Sequence, residues 1–288
     1  MDNHEDRSRA TGDTRKLFLD LMAKVILNQI NPENGARIKY LLDALTSSAP
    51  LRDRRALISA LVDIRNQSPE ISEALKDPFA RPNWWIKTLG FPFSMIGPDR
   101  LDNVRWAVET VIAENIPGAL IETGVWRGGA CMMMKAVMTA YGELRDLYVC
   151  DSFQGLPEMK EGPDSSLPLN ENPILAAPLD QVQSHFSRLD LLDDSVHFIE
   201  GWFADSMPQL RTNGPKQIAV LRLDGDYYHS TKVVLDNLYD RVVPGGIVII
   251  DDYFVYEQCA KAVEEYRHLH GVTQELHQID FAGAWWRV

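Results

Sequence analysis

Residues 99–288 predict an α/β fold with a doubly wound, mixed sheet, and three observations carry that reading. Short apolar runs alternate with segments of helical periodicity, the pattern of parallel strands joined by crossover helices. Four of those runs end at or beside an acid: Glu122, Asp151, Asp224 and the pair Asp251-Asp252. The chain closes with two apolar runs separated by Ala282-Gly283, which reads as an antiparallel hairpin on one sheet edge.

A chain of 288 residues has room for one substantial α/β domain and an extension, and its 45% hydrophobic content is ordinary for a protein with a real core. A formal charge of -12 repels phosphate backbones, so nucleic acid is not an expected partner. The polar start, Met1 to Arg15, has no apolar segment of the secretory kind. No apolar run reaches the roughly 18 residues of a membrane span, so no membrane is expected either. Three dispersed cysteines, Cys131, Cys150 and Cys259, weigh against a disulfide framework or a cysteine zinc site and favour a cytoplasmic location.

Charged residues without apolar periodicity predict a disordered tail over 1–14. From Lys16 a helical pattern begins, with Leu17, Leu21 and Val25 at helical spacing. Two more helical blocks are expected over about 35–46 and 51–66, then an irregular Pro- and Trp-rich stretch over 68–92. Residues 15–92 are therefore expected to be a helical N-terminal extension that packs on the main domain or on a second subunit, walls a pocket, and makes the protein a dimer or higher homo-oligomer.

The main domain, 93–288, is expected to open with a helix over 98–114, broken by Pro117-Gly118. Strand 119–123 follows, then a glycine turn and a helix to about Tyr141. Strand 147–150 runs into a long loop over 152–179, rich in proline and glycine, of a length that is usually functional. A helix over 180–190, a strand over 196–199 and a strand over 218–223 come next. A helix over 230–239 and a strand over 247–250 precede a helix over 257–269 and the final hairpin, 274–281 with 284–288. These are seven strands.

Ligands of open α/β sheets bind beyond the carboxyl ends of the strands. One strand-end Asp is commonly a helix cap; four neighbouring acids are harder to leave unpartnered. The first turn reads Glu122-Thr123-Gly124-Val125-Trp126-Arg127-Gly128-Gly129 and lacks the Gly-x-Gly-x-x-Gly dinucleotide spacing. It suits a ligand with an ammonium group and no pyrophosphate, such as S-adenosylmethionine. Glu122 is placed to hold the amino group and Asp151 to accept the ribose hydroxyls. Asp224, Asp251 and Asp252 end adjacent strands and offer three hard oxygen ligands, which favours magnesium over zinc. His229 lies near the mouth, where a lone histidine is more often a surface residue than a catalytic one.

These residues resemble the macrocin O-methyltransferase family, which methylates sugar hydroxyls on antibiotics. The matching stretches are Ser94-Met95-Ile96-Gly97, Arg100-Leu101-Asp102-Asn103, 121–130, Asp151-Ser152-Phe153-Gln154-Gly155-Leu156-Pro157 and Gly201-Trp202-Phe203. Leu223 to Tyr228 with Ser230-Thr231, and Pro244-Gly245-Gly246 to Tyr253, complete the pattern in order. Residues 16–31 resemble the family's N-terminal helix.

The resemblance implies a Rossmann-like class I methyltransferase fold that binds S-adenosylmethionine through Met95, Glu122, Thr123, Gly124, Arg127, Asp151, Ser152, Trp202 and Asp224. It implies Mg2+ on Asp224, Asp251 and Asp252, with Asp224 as general base and a glycosylated natural product as the acceptor; a metal that can be chelated through two neighbouring oxygens favours a vicinal diol there. His229 departs from an expected acid, and 33–80 reads as an insertion. A catechol-type methyltransferase, which usually carries Asp-Asn where this chain has Asp251-Asp252, is the alternative within the class. A binding protein that keeps the fold without catalysis is the alternative outside it, and a nicotinamide dehydrogenase is weakened by the missing glycine spacing.

Overall fold

The computed structural model describes residues 2–30 and 92–288. The expected helical blocks at 35–46 and 51–66, nearly all of 68–92, and the insertion 33–80 lie outside the described residues. The chain divides into two compact units, Met1–Leu19 with Asp99–Val288, and Asp20–Pro98. Helix α1, Asp2–Ile26, contributes to both. Its backbone is helical from Asp2, where the sequence suggests a disordered tail; 2–14 hold no proline, and Gly12 is the single residue with markedly poor helix propensity. In the smaller unit, Phe93 donates its N–H to the carbonyl of Ile26 at 2.9 Å, and Ser94 Oγ accepts from the Ile96 N–H at 3.3 Å.

The larger unit holds a seven-stranded sheet in the order β3-β2-β1-β4-β5-β7-β6. The strands are β1 Ala119–Thr123, β2 Leu147–Asp151, β3 Val196–Glu200, β4 Ile218–Leu223, β5 Val242–Ile250, β6 His277–Gln278 and β7 Ala284–Arg287. The first five run parallel, β7 pairs antiparallel with β5, and β6 pairs antiparallel with β7. The expected closing hairpin is therefore present. The order reverses between β1 and β4, the topological switch point where such sheets bind ligands.

Helix α2 (Pro98–Ala113) precedes β1, and α3 (Gly129–Tyr141), α4 (Leu179–Arg188), α5 (Phe203–Asn213), α6 (Tyr228–Leu238) and α7 (Glu257–His270) connect the strands. Alternation along β1 sends Ile121 into a core with Leu221, Val234, Leu235, Val263 and Trp286, while Glu122 turns to the opposite face and meets Cys131 of α3. Every residue of β1 and β4 is buried, as central parallel strands require.

Three elements of the larger unit differ from expectation, and the first is β6, only His277–Gln278 of the expected 274–281. Strand β5 starts five residues early, because its register with β4 jumps from Ile218↔Val242 to Val220↔Ile247. The Val243-Pro244-Gly245-Gly246 stretch bulges out, and a proline is tolerated there. Helix α5 is missing from the sequence reading because Pro208 lies inside it and Trp202 at its N-cap makes no side-chain cap.

Candidate functional site

The turn after β1 is built by close approach. Gly124 has φ +83°, and a Cβ there would lie 1.7 Å from the carbonyl oxygen of Asp224. Glycine therefore lets the ends of β1 and β4 touch, and the Asp224 N–H donates to the Thr123 carbonyl at 2.8 Å. Oδ2 of Asp151 accepts the N–H groups of Val125 and Trp126 at 2.7 and 3.2 Å, while Oδ1 accepts that of Phe153 at 2.8 Å. Asp151 thus staples the glycine turn to the end of β2. Burial pushes its carboxyl above the usual range against those hydrogen bonds.

Below the turn lies a buried charge network centred on Arg222 of β4, which is 1% exposed. One guanidinium nitrogen pairs with Glu122 and with Asp224 Oδ2, the latter at 2.9 Å; the other pairs with Asp251. Arg100 pairs with the other oxygen of Asp251 and, through Nε, with Asp280 at 3.1 Å. Asp280 Oδ1 in turn accepts the N–H groups of Ala282 and Gly283, both at 2.8 Å. Burial opposes the charge on Arg222, but Asp251, Glu122 and Asp224 hold it charged, well above its ordinary pKa. Burial raises Glu122 although Arg222 pulls it down. The thiol of Cys131 donates to Glu122 Oε2 at 2.6 Å and is itself pushed well up by burial.

One residue further along the strand ends the acids are crowded. Asp224, Asp226 and Asp252 each offer a carboxylate oxygen within 4.8 Å of the others, a geometry able to hold a metal ion. Asp252 Oδ2 is buried with no hydrogen-bond partner. Burial, and then repulsion from Asp251, lifts Asp224 well above the usual carboxylate range; burial, and then Asp226 and Asp224, does the same for Asp252. Asp226 is pushed up to about 7 by burial and by the charges of Asp251 and Asp151. An orphaned oxygen among three mutually repelling carboxylates is what a hard divalent cation would relieve, so the residues present fit magnesium.

The grouping differs from the expected Asp224–Asp251–Asp252 set. Asp251 points between Arg100 and Arg222, and Asp226 takes the third place. The sequence reading passed over Asp226 although it stands in the Asp224-Gly225-Asp226 stretch; two acids flanking a glycine at a strand end were the available signal. Arg222 and Arg100 also went unremarked as ion-pair partners, because nothing in a strand pattern shows which charge lies across the sheet.

The other expected residues fall as follows. Glu122, Gly124, Asp151 and Asp224 converge at the switch point. Thr123 is fully buried, its hydroxyl 3.4 Å from the Arg222 carbonyl. Ser152 Oγ donates to the Gly155 carbonyl at 2.7 Å, shaping the following loop. Arg127 lies beside Trp126, and Trp202 precedes α5 at the same edge. His229 is exposed. Met95 belongs to the smaller unit.

The macrocin-O-methyltransferase family model (TylF) matches residues 15–288. A tetracenomycin-type rhamnosyl 4'-O-methyltransferase of Streptomyces olivaceus is 39% identical over 282 residues, covering 96% of this chain and 94% of that protein. Demethyldecarbamoylnovobiocin O-methyltransferase of Streptomyces niveus is 45% identical over 200 residues, 67% of this chain and 75% of its own. The solved structure of the O-methyltransferase NovP superposes with a TM-score of 0.76 at 36% identity, covering 95% of this chain and 98% of that one. Calicheamicin methyltransferase CalS11, at 20% identity and TM-score 0.55, shares the fold. The seven-stranded sheet is thus that of a class I methyltransferase, and the chain belongs to the macrocin-O-methyltransferase family of O-methyltransferases.

Proposed function

We propose that this enzyme transfers a methyl group from S-adenosylmethionine to a hydroxyl on the sugar of a glycosylated secondary metabolite, in antibiotic biosynthesis, with a magnesium ion at the strand-end acids. The observation that carries the reading is the triad Asp224, Asp226 and Asp252 beside the Gly124 turn at the switch point. The relative named as the 4'-O-methyltransferase of a rhamnosyl tetracenomycin supports a sugar acceptor.

In this reading the donor lies against the Gly124–Gly129 turn and Asp151, with Thr123, Arg127, Ser152 and Trp202 around it. On the same reading Glu122 accepts the donor's amino group, and Arg222 and Cys131, one on each carboxylate oxygen, hold it in place. When bound, S-adenosylmethionine would supply an electrophilic methyl on a sulfonium, and magnesium held by Asp224, Asp226 and Asp252 would supply positive charge that favours loss of the acceptor's proton. Asp224, with 26% of its side chain exposed, is the open member of the network and takes that proton. Arg222 keeps its carboxylate turned to the site, while Asp226 and Asp252 orient the acceptor for in-line attack. A vicinal diol fits best because two neighbouring oxygens can be held at once.

The test is incubation with S-adenosylmethionine, magnesium and a panel of glycosylated natural products, read by the mass gain of one methyl. Turnover on simple catechols and on no glycoside would move the acceptor to a phenolic diol. Full turnover in excess chelator would remove the metal. Self-association belongs to the same reading: α1 exposes Leu17 and Leu21, and light scattering is expected to report a dimer.

A further inference from the structure

The loop after β2 is fastened at both ends of the site. Near its end, Trp126 of the glycine turn donates Nε1–H to the Ile174 carbonyl at 2.7 Å. In its middle, Tyr227 donates its hydroxyl proton to the Leu167 carbonyl at 2.9 Å. Gln258 of α7 adds a contact to Ser166 Oγ at 3.3 Å. Just ahead of these positions lies Asp164, 1% exposed in an otherwise open stretch of loop. Its two carboxylate oxygens accept the N–H groups of Tyr228 and His229, at 2.7 and 2.9 Å.

Those two amides open α6, and the helix has no side-chain cap of its own. Asp164 supplies the cap from 64 residues away in sequence. Asp226 stands two residues before that helix, at φ +57°. A non-glycine residue in that left-handed region is strained and persists only where its surroundings over-determine it. The chain that follows Asp226 is pinned at three successive positions: the buried Tyr227 by its hydroxyl, and Tyr228 and His229 by their amides.

We propose that Asp164 is a positioning residue for the acid triad: by capping α6 from the loop it fixes the turn that carries Asp226. The proposal rests on the reading of Asp224, Asp226 and Asp252 as a cation site. It also gives the long loop a task, joining the glycine turn through Trp126 to the acid turn through Asp164.

The test compares Asp164→Ala and Asp164→Asn with Ser165→Ala, an exposed neighbour, well below the melting temperature of each. Manganese is titrated as a spectroscopic probe. Asp164→Ala is expected to weaken manganese binding about five- to tenfold, the size of a lost cap. Asp164→Asn keeps one acceptor oxygen and should recover part of the loss, while Ser165→Ala should bind as the parent does. A folded Asp164→Ala chain that binds manganese within about twofold of the parent overturns the proposal, since a purely structural cap would lower melting temperature and spare the site. If the parent binds no manganese, the cation reading fails by itself, and turnover decides this one. A fall in kcat with an unchanged KM for S-adenosylmethionine supports it; both unchanged overturn it.

Discussion

Two sets of carboxylates lie within a residue or two of one another at the ends of β1, β4 and β5, in opposite circumstances. Glu122 and Asp251 sit below the edge, bound by Arg222 and Arg100. Asp224, Asp226 and Asp252 sit at the edge, where only Asp224 shares an arginine and Asp252 keeps an orphaned oxygen. The lower set is electrostatically closed and serves as scaffold; the upper set carries an excess of negative charge that a cation or a proton would relieve. The contrast teaches that the register of an acid against a strand end, not its presence there, decides whether an arginine neutralises it.

The strongest way to break that contrast is to neutralise one acid of each set. Asp224→Asn keeps shape but loses the proton acceptor and is expected to lower kcat by about a thousandfold, with little change in melting temperature. Asp226→Asn and Asp252→Asn should also lose activity, partly restored by excess magnesium. Asp251→Asn should do the reverse, losing more in melting temperature than in rate. If Asp251→Asn is as inactive as Asp224→Asn yet equally stable, Asp251 belongs to the reactive set after all.

Next in size is removal of the counter-charge. Arg222→Met leaves Glu122, Asp224 and Asp251 without their shared partner, which is expected to cost about 3–5 kcal/mol. For a domain of this size that is a drop of about 10 °C in melting temperature, measured by calorimetry. Adding Glu122→Gln should return part of it. A single variant as stable as the parent would mean that the lower set is not closed by Arg222.

The glycine turn sharpens the comparison from the other side. Gly124→Ala forces a methyl against the Asp224 carbonyl and is expected to cost about 2 kcal/mol. It should also weaken binding of the demethylated donor in calorimetry, because the turn and the acid edge part together.

The smallest effect comes from an ion pair far from the edge, Lys135 with Asp193, at 2.7 Å. Hydrogen bonds from Lys135 and Ser195 hold the Asp193 carboxyl down to about 2, from an ordinary 3.8. A carboxyl depressed in the folded state adds stability above its unfolded value and loses it as pH falls from about 4 to about 2. Asp193 is 57% exposed, so solvent screens the pair and the effect is slight. Asp193→Asn should flatten the acid limb of the stability curve in that window and leave the neutral region alone.

Much of the fold was legible in residue order. Strands β1 and β4 are fully buried, so their apolar runs end sharply and their boundaries, 119–123 and 218–223, match the expected ones. Helix α5 was hidden by Pro208 and the start of β5 by its bulge, both places where local chemistry and final structure disagree. The acids at the strand ends were visible too, because a carboxylate that interrupts an apolar pattern stands out.

The sequence by itself determined the layered α/β architecture, the glycine turn and the neighbourhood of the acids, since each follows from periodicity or from the backbone freedom of particular residues. Only the tertiary structure decided which acids belong together. Asp251 and Asp252 are adjacent in the chain, but successive residues at a strand end point to different sides. One therefore meets Arg100 and Arg222, from a helix 151 residues away and a strand 29 residues away, and the other meets Asp224 and Asp226. The strength of a charge interaction depends on distance and burial, which a linear order of residues does not contain.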